Sequence, residues 1–273
     1  MRLIKDIPED ASIEDKKKAY EIISRLKCGD RVFGNVAEGL KMTLKKTEEK
    51  IEEMQRKKSV LDYLDKDDDL KHNIALLKAG INGEEMLAEY FEKIIKHDEQ
   101  LSDIILFASL SDPEQNSGGD DYISDSDFLA IYGNHILILD AKNIATNPEI
   151  PIYLSDGELC AVGGKSILEL HSSVPIWRNI LSHQEAPYLS IHGCTVIVNN
   201  RGACIWKNDE WKNSDVKPIH ISELVSFLKE WISDKDNSCN LSLLTTISKM
   251  QIKKDKGENV KNITEGMLRN KLI

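Results

Sequence analysis

The stretch that decides the fold of this chain is residues 127–142, which read DFLAIYGNHILILDAK. Two apolar runs, FLAIY and HILIL, stand on either side of the pair Gly133-Asn134. Glycine and asparagine accept the positive φ angles of a two-residue hairpin turn, so the stretch predicts two antiparallel strands that meet at this pair. Such a turn pairs Tyr132 with His135, and this pairing fixes the register of both strands.

The predicted register collects ionisable side chains at the open end of the hairpin. Asp127 falls opposite Asp140, where directly opposed residues have Cβ atoms about 4.5 to 5.5 Å apart. Because side chains alternate between the faces of a strand, Lys142 shares the face of Asp140, with Asp125 opposite it. Two carboxylates this close repel each other unless a cation lies between them, and oxygen ligands favour Mg²⁺, with Mn²⁺ as a substitute. A surface hairpin closed by an Asp–Lys salt bridge is the alternative interpretation.

These residue types are suited to phosphodiester hydrolysis. A bound divalent metal would polarise the phosphodiester and acidify a water molecule. Lys142, two residues from a predicted ligand, would orient that water or neutralise charge in the transition state.

The hairpin segment, preceded in the chain by Gly80-Ile-Asn-Gly83-Glu84, resembles the nuclease-related domain (NERD) family of the PD-(D/E)xK nuclease superfamily. The resemblance covers roughly residues 80–206. It implies that Asp127 and Asp140 are metal ligands, that Glu84 reaches the metal directly or through water, and that Lys142 is the catalytic lysine. It also implies a metal contact from the carbonyl of Ala141.

Two positions depart from the family pattern. Many members have glutamate where this chain has Asp140. A proline followed three residues later by glutamine usually opens the next helix, whereas this chain has Pro175-Ile-Trp-Arg178. The departure puts a substrate role for this helix in doubt, and Arg178 is left as a candidate phosphate ligand.

A heptad pattern predicts a long helix near the N-terminus. Its seam repeats at intervals of four and three residues, at Leu40, Leu44, Thr47, Ile51, Met54, Lys58 and Leu61. A dimeric coiled coil and an intramolecular hairpin with residues 13–27 both fit this seam. The acidic run at residues 65–69 is predicted to end the helix, and a second helix is predicted to begin near Asp69 or Gly80.

The chain is therefore predicted to be an α/β protein with three parts. Residues 1–79 form the helical arm, residues 80–235 form a mixed-sheet, restriction-endonuclease-like core, and residues 236–273 form a C-terminal helix and a basic tail. Further strands are expected at residues 104–107, 192–199 and 203–206, and further helices at residues 175–183, 221–232 and 241–249, with loops at 111–121 and up to about 164.

Composition excludes several other classes of protein. No stretch is long and apolar enough for a membrane span, and the N-terminus lacks the apolar core of a signal peptide. The five cysteines are scattered, without a CxxC pair, which favours a reduced, cytoplasmic location; Cys194 and Cys204 are expected to be small buried side chains. The net charge of −10 argues against nucleic-acid binding by electrostatics alone.

The first functional prediction is a Mg²⁺-dependent endonuclease acting on DNA, within a defence or DNA-processing system. An RNase with the same site is the enzymatic alternative, since nothing in the sequence reads a 2′-hydroxyl. The non-enzymatic alternative is a nucleic-acid-binding or scaffolding module that works through the helical arm. The N-terminal helices are the predicted surface for a homodimer.

Overall fold

The structure is a computed structural model that describes residues 2–4, 11–56, 60–110, 126–144, 153–155, 158–160, 170–182, 189–198, 216–233 and 235–251. The helices of these ranges are α1 (Ile13–Lys27), α2 (Glu38–Arg56), α3 (Val60–His97), α4 (Leu170–Ser182), α5 (Leu224–Ile232) and α6 (Leu241–Lys249). The strands are β1 (Arg2–Ile4), β2 (Val32–Phe33), β3 (Ile105–Leu110), β4 (Ser126–Tyr132), β5 (His135–Lys142), β6 (Tyr153–Ser155), β7 (Glu158–Cys160), β8 (Ser190–Ile197), β9 (Val216–His220) and β10 (Ser238–Asn240).

A six-stranded mixed sheet, in the order β2-β3-β4-β5-β8-β9, forms the centre of the described fold. The β3–β4 and β4–β5 pairs are antiparallel, whereas β2–β3, β5–β8 and β8–β9 are parallel. The middle strands are apolar along their length because helices cover both faces of the sheet. The α/β class and the mixed sheet are therefore confirmed.

Alternation along the strands divides the core between the two faces. Ile136 and Ile138 of β5 pack with apolar side chains of α1, α4 and α6, including the fully buried Trp177. Leu137 and Leu139 pack on the opposite face with side chains of α3 and α5. This division into a first face (α1, α4, α6) and a second face (α3, α5) determines which side chains can meet at the end of the sheet.

The hairpin has the predicted turn and register. Tyr132 pairs with His135, and the ladder continues to the pair Phe128–Leu139. Gly133 has φ 60°, and a Cβ at this position would lie 2.2 Å from the carbonyl oxygen of Asp236. Glycine is required here both by the backbone angle and by the neighbouring main chain.

The heptad seam packs within the chain, against α3. Leu40 and Thr47 are buried, and Leu44 packs against the cluster that Leu40 forms with Ile81. The two helices approach each other at Gly80, where a Cβ would lie 2.9 Å from Leu40 Cδ1. The seam at Leu40 and Leu44 thus packs against a helix of the same chain, but that helix is α3 and not residues 13–27. The side chains of Met54, Lys58 and Leu61 lie outside the described residues.

Much of the predicted arm belongs to the main fold. Helix α1 packs on the first face of the sheet through Ala19, Ile22 and Leu26, and β2 extends the sheet beside β3. The predicted boundary at residue 80 falls inside α3. In the described structure, α2 packs against α3 around Leu40 and Ile81.

The predicted helix end at residues 65–69 is wrong, because α3 runs through this acidic segment without a break. An aspartate costs a helix interior less than about 0.7 kcal/mol relative to alanine, which is too little to stop a helix that packs well further along. The short hairpin of β6 and β7 and the strands β1, β2, β9 and β10 were not predicted. The expected loop at 111–121, the expected strand at 203–206 and the tail beyond residue 251 lie outside the described residues.

The described cysteines differ in their burial. Cys194 is buried, as predicted, whereas Cys28 is exposed; Cys204 lies outside the described residues. Among the described helices, none combines the length and the apolar character that a bilayer crossing needs.

The packing of α2 on α3 can be tested with Leu40→Ala. This change should lower the free energy of unfolding by about 2 to 4 kcal/mol, because it leaves a cavity between the two helices. Leu76→Ala is the matched control, since this α3 leucine is 48% exposed and should change stability by less than about 0.5 kcal/mol. Urea unfolding measures both, and equal losses would contradict the intramolecular packing of the seam.

Candidate active site

Strands β4 and β5 part at Asp127. The last pair of their ladder is Phe128–Leu139, and two positions further on the pattern would join the amide of Ala141 to the main-chain carbonyl of Ser126. Instead, the Ala141 amide donates to Asp127 Oδ2 over 2.7 Å. A carboxylate therefore takes the place of a main-chain acceptor, and the hydrogen-bonded hairpin ends there.

Asp140 and Lys142 form an ion pair at this end of the hairpin. Lys142 Nζ lies 2.9 Å from Asp140 Oδ1, and the two side chains are 26% and 14% exposed, respectively. Both lie on the first face, in line with Ile136 and Ile138, so the prediction that they share a face is confirmed. Burial raises the pKa of the Cys194 thiol on the second face. The negative charge of Asp140 raises this pKa further, by a smaller amount.

Glu84 approaches the same end of the sheet from α3. The residue after Lys142, Asn143, donates from its side chain to the carbonyl of Ala79 over 2.9 Å. Gly83 packs so closely on Asn143 that a Cβ at Gly83 would lie 2.9 Å from the Asn143 Cβ. The adjacent Glu84 is 5% exposed, one turn before Leu87, which packs on the second face. Glu84 is therefore anchored near Lys142, on the helix that covers the opposite face.

The predicted three-carboxylate metal site is only partly assembled. In the described ranges, no three His, Cys, Asp or Glu side chains are grouped so that they could hold one metal ion. Asp127 contacts the amide of Ala141, the residue after Asp140, at the point where the strands part. Ala141 was predicted to contact the metal through its carbonyl. The contact that it makes with Asp127 in the structure is a hydrogen bond from its amide.

A strained loop contacts the strand position beside Asp127. Ser109 lies between two paired positions of β3 and β4, which places it opposite Asp127. Its hydroxyl donates to the carbonyl of Asn35 over 2.7 Å and accepts from the amide of Glu38 over 3.1 Å. Ser109 and Ala37 have φ values of 51° and 58°, a conformation that non-glycine residues keep only where the surrounding structure enforces it. The start of α2, with the buried Glu38, is held to the sheet here.

Arg178 lies away from this end of the sheet. Its Nη2 donates to the carbonyl of Ile191 over 3.0 Å, and Ile191 pairs with Ile136 near the beginning of β5. Asp140 is four residues further along the strand, about 13 Å at the usual rise per residue. The role considered for Arg178, holding a phosphate at this site, therefore does not fit its observed position. The neighbouring Trp177 instead donates from Nε1 to Ser126 Oγ over 2.6 Å and supports the start of β4.

Two polar residues on the neighbouring strands β8 and β9 were missed by the sequence reasoning. Thr195 pairs with Asp140, is fully buried, and its Oγ1 has no hydrogen-bond partner among the described residues. His220 pairs with Ile197, which in turn pairs with Lys142. Thr195 lies in a predicted strand, but the sequence does not give the register of β5 with β8 that places it beside Asp140. Residues 216–220 read VKPIH, which lacks the alternation that would have indicated a strand.

No family model, curated protein or solved structure matches this chain. The resemblance to the NERD family therefore rests on the motif residues themselves. Their geometry is the basis for any functional proposal.

The buried hydroxyl of Thr195 has a measurable consequence for stability. Thr195→Val should leave the free energy of unfolding unchanged or raise it by up to about 2 kcal/mol, because a valine of the same shape removes a buried polar atom that has no partner among the described residues. Thr245→Val is the control: this buried hydroxyl donates to the Leu241 carbonyl over 2.9 Å, and its loss should lower stability by up to about 1 kcal/mol. Urea unfolding of the two variants decides the matter, and a larger loss for Thr195→Val would show that Thr195 is hydrogen-bonded.

Proposed function

We propose that this chain is a divalent-metal-dependent nuclease that hydrolyses phosphodiester bonds of DNA. One observation carries the proposal: Asp127, Asp140 and Lys142 lie together where β4 and β5 part, with Asp127 held by the Ala141 amide. These are residues that the resemblance to the NERD family implicates in metal binding and catalysis.

The placement of these charges favours a functional role over a structural one. Asp140 and Lys142 are mostly buried beside apolar strands, where desolvation offsets much of the attraction within an ion pair. An apolar pair would stabilise this position at least as well. We propose that a substrate phosphate or a cation completes this set of charges.

The two aspartates fit a Mg²⁺ ion. Mg²⁺ is usually held by one or two carboxylates together with water and substrate phosphates, so a pair of aspartates is a sufficient protein contribution. Asp127 and Asp140 would hold the ion, with Glu84 acting from α3 through water. When bound, the ion would supply Lewis-acid polarisation of the phosphate and a more acidic water.

Lys142 and Asp127 have different proposed roles beside the metal ion. The ion pair fixes the ammonium group at the strand end, where it can orient the attacking water and stabilise negative charge developing on the phosphate. Asp127, restrained by the Ala141 amide, keeps a fixed carboxylate position while a substrate binds. We propose the same roles for an RNA substrate, should RNA be cleaved in place of DNA.

A second candidate function is a nucleic-acid-binding or scaffolding module without catalysis. It is favoured by the lack of a three-residue metal group among the described residues. The cytoplasmic location remains a proposal. A homodimer through the N-terminal helices does too, and it would not use Leu40 and Leu44, because these seam side chains pack within the chain.

The decisive experiment is incubation of the purified chain with plasmid, linear and single-stranded DNA, and with RNA. Each substrate is tested with Mg²⁺, with Mn²⁺ and with EDTA. Metal-dependent cleavage of DNA supports the nuclease proposal, and cleavage of RNA alone supports the ribonuclease. Nucleic-acid binding without cleavage under any of these conditions would favour the non-catalytic module.

Two substitutions should separate metal binding from turnover. Asp140→Asn should weaken Mn²⁺ binding in calorimetry and abolish cleavage, because the amide keeps the shape but loses the charge. Lys142→Ala should leave Mn²⁺ affinity equal or higher, since a nearby positive charge is removed. Its cleavage rate should fall by about a hundredfold or more, the usual effect of losing one electrostatic stabiliser.

Lys229→Ala is the matched control for Lys142→Ala. Lys229 also forms an ion pair, at 2.6 Å from Asp98, but it lies on α5 away from the candidate site. This variant should cleave at the wild-type rate. If Lys142→Ala cleaves as fast as wild type at saturating Mg²⁺, or if Asp140→Asn binds Mn²⁺ unchanged, these residues do not form the active site.

A further inference from the structure

His220 lies in the same row of the sheet as Lys142. Lys142 pairs with Ile197 across β5 and β8, and Ile197 pairs with His220 across β8 and β9. Neighbours in parallel strands point to the same face, so the imidazole belongs to the first face with Asp140 and Lys142. Two strand spacings of about 4.8 Å separate the Cα atoms of His220 and Lys142 by about 10 Å.

The environment of His220 fixes its tautomer. The backbone amide of Ser222 donates to His220 Nδ1 over 3.3 Å, and the Ser222 hydroxyl lies 2.8 Å from the same nitrogen. An amide can only donate, so Nδ1 must be an acceptor and the hydrogen of the neutral ring lies on Nε2. The main chain is fixed as well, because the His220 amide donates to Glu223 Oε2 over 3.0 Å.

The hydrogen on Nε2 has no acceptor within the described residues. His220 is 5% exposed, and Nε2 is shielded from solvent without a hydrogen-bond partner there. A buried donor left in this state costs free energy, and a bound water, an ion, a ligand or a catalytic role accounts for such groups in native proteins. Here the ring is already held in place by its other nitrogen, so the donor is preorganised for an acceptor that enters at this end of the sheet.

We propose that His220 is a substrate-binding residue whose Nε2–H donates to a phosphate oxygen of the DNA backbone. The inference rests on the proposed nuclease function and adds β9 to its site. A phosphate that enters at this end of the sheet would accept the imidazole N–H of His220 on β9, two strands from Lys142 on β5, with Ile197 of β8 in the row between them. An anionic oxygen suits this donor best, because hydrogen bonds to charged acceptors are about twice as strong as neutral ones.

Two substitutions at position 220 separate the contribution of Nε2 to binding from the structural role of Nδ1. In His220→Asn, the side-chain oxygen can replace Nδ1 as the acceptor for the Ser222 amide, whereas no group replaces Nε2. In His220→Gln, the amide nitrogen reaches the place of Nε2. The control is His135→Gln, at the beginning of β5, since His135 also has a buried ring nitrogen without a described partner but lies at the opposite end of the sheet.

The test uses the full chain with a short DNA duplex in Ca²⁺, which allows binding to be measured without turnover. His220→Asn should raise the Kd in fluorescence anisotropy by about tenfold or more, as expected for losing a hydrogen bond to a charged group. His220→Gln and His135→Gln should stay within about threefold of wild type. In the side-chain ¹H–¹⁵N spectrum, the Nε2 resonance of His220 should move on addition of DNA and that of His135 should not.

The outcomes separate this inference from the proposed function. If wild type binds DNA while His220→Asn binds equally tightly, or while the Nε2 resonance does not move, the inference is overturned and the nuclease proposal is unaffected. If the resonance moves and binding weakens but wild type never cleaves with Mg²⁺ or Mn²⁺, His220 is a DNA contact and the nuclease proposal fails. If wild type binds no DNA, both are overturned.

Discussion

The hydrogen bond from the Ala141 amide to the Asp127 carboxylate is the interaction on which the candidate site depends. An antiparallel ladder that continued past Phe128 would place main-chain partners where this carboxylate lies. By taking one main-chain position, Asp127 satisfies a buried donor and stops the ladder without leaving the Ala141 amide unpaired. The same hydrogen bond holds the negative charge of Asp127 next to Ala141, the residue after Asp140. The candidate site therefore forms where the hairpin ladder ends.

The surrounding packing keeps this end of the sheet in place from several directions. On the first face, Trp177 supports Ser126, the residue before Asp127. Beside β4, the Ser109 hydroxyl ties the loop before α2 to the same level of the sheet. On the second face, Gly83 and Asn143 bring α3 into contact with the end of β5. These contacts come from segments far apart in sequence, which explains why only the complete fold can position the charged groups.

The hairpin and the face shared by Asp140 and Lys142 could be predicted, because a two-residue turn and the alternation of side chains are local properties. The bond that ends the ladder could not, since alternation assigns Asp127 to a face and does not indicate that its side chain replaces a main-chain acceptor. Thr195 and His220 were not predicted for a different reason. Their positions depend on the pairing of β5 with β8 and of β8 with β9, which no local sequence pattern encodes. The partner of the heptad seam was missed because aspartates at residues 65–69 were given more weight as helix breakers than their small energetic effect justifies.

Helix α3 spans 38 residues without interruption, a length of about 57 Å at the usual rise of 1.5 Å per residue. Leu77 and Ile81 in its middle pack on α2, the segment from Leu87 onward covers the sheet, and Glu84 lies between the two contacts. A continuous helix has no hinge at which one half could turn independently of the other. A displacement of α3 as one unit would therefore change the position of Glu84 relative to the end of β5, because Gly83 contacts Asn143 there.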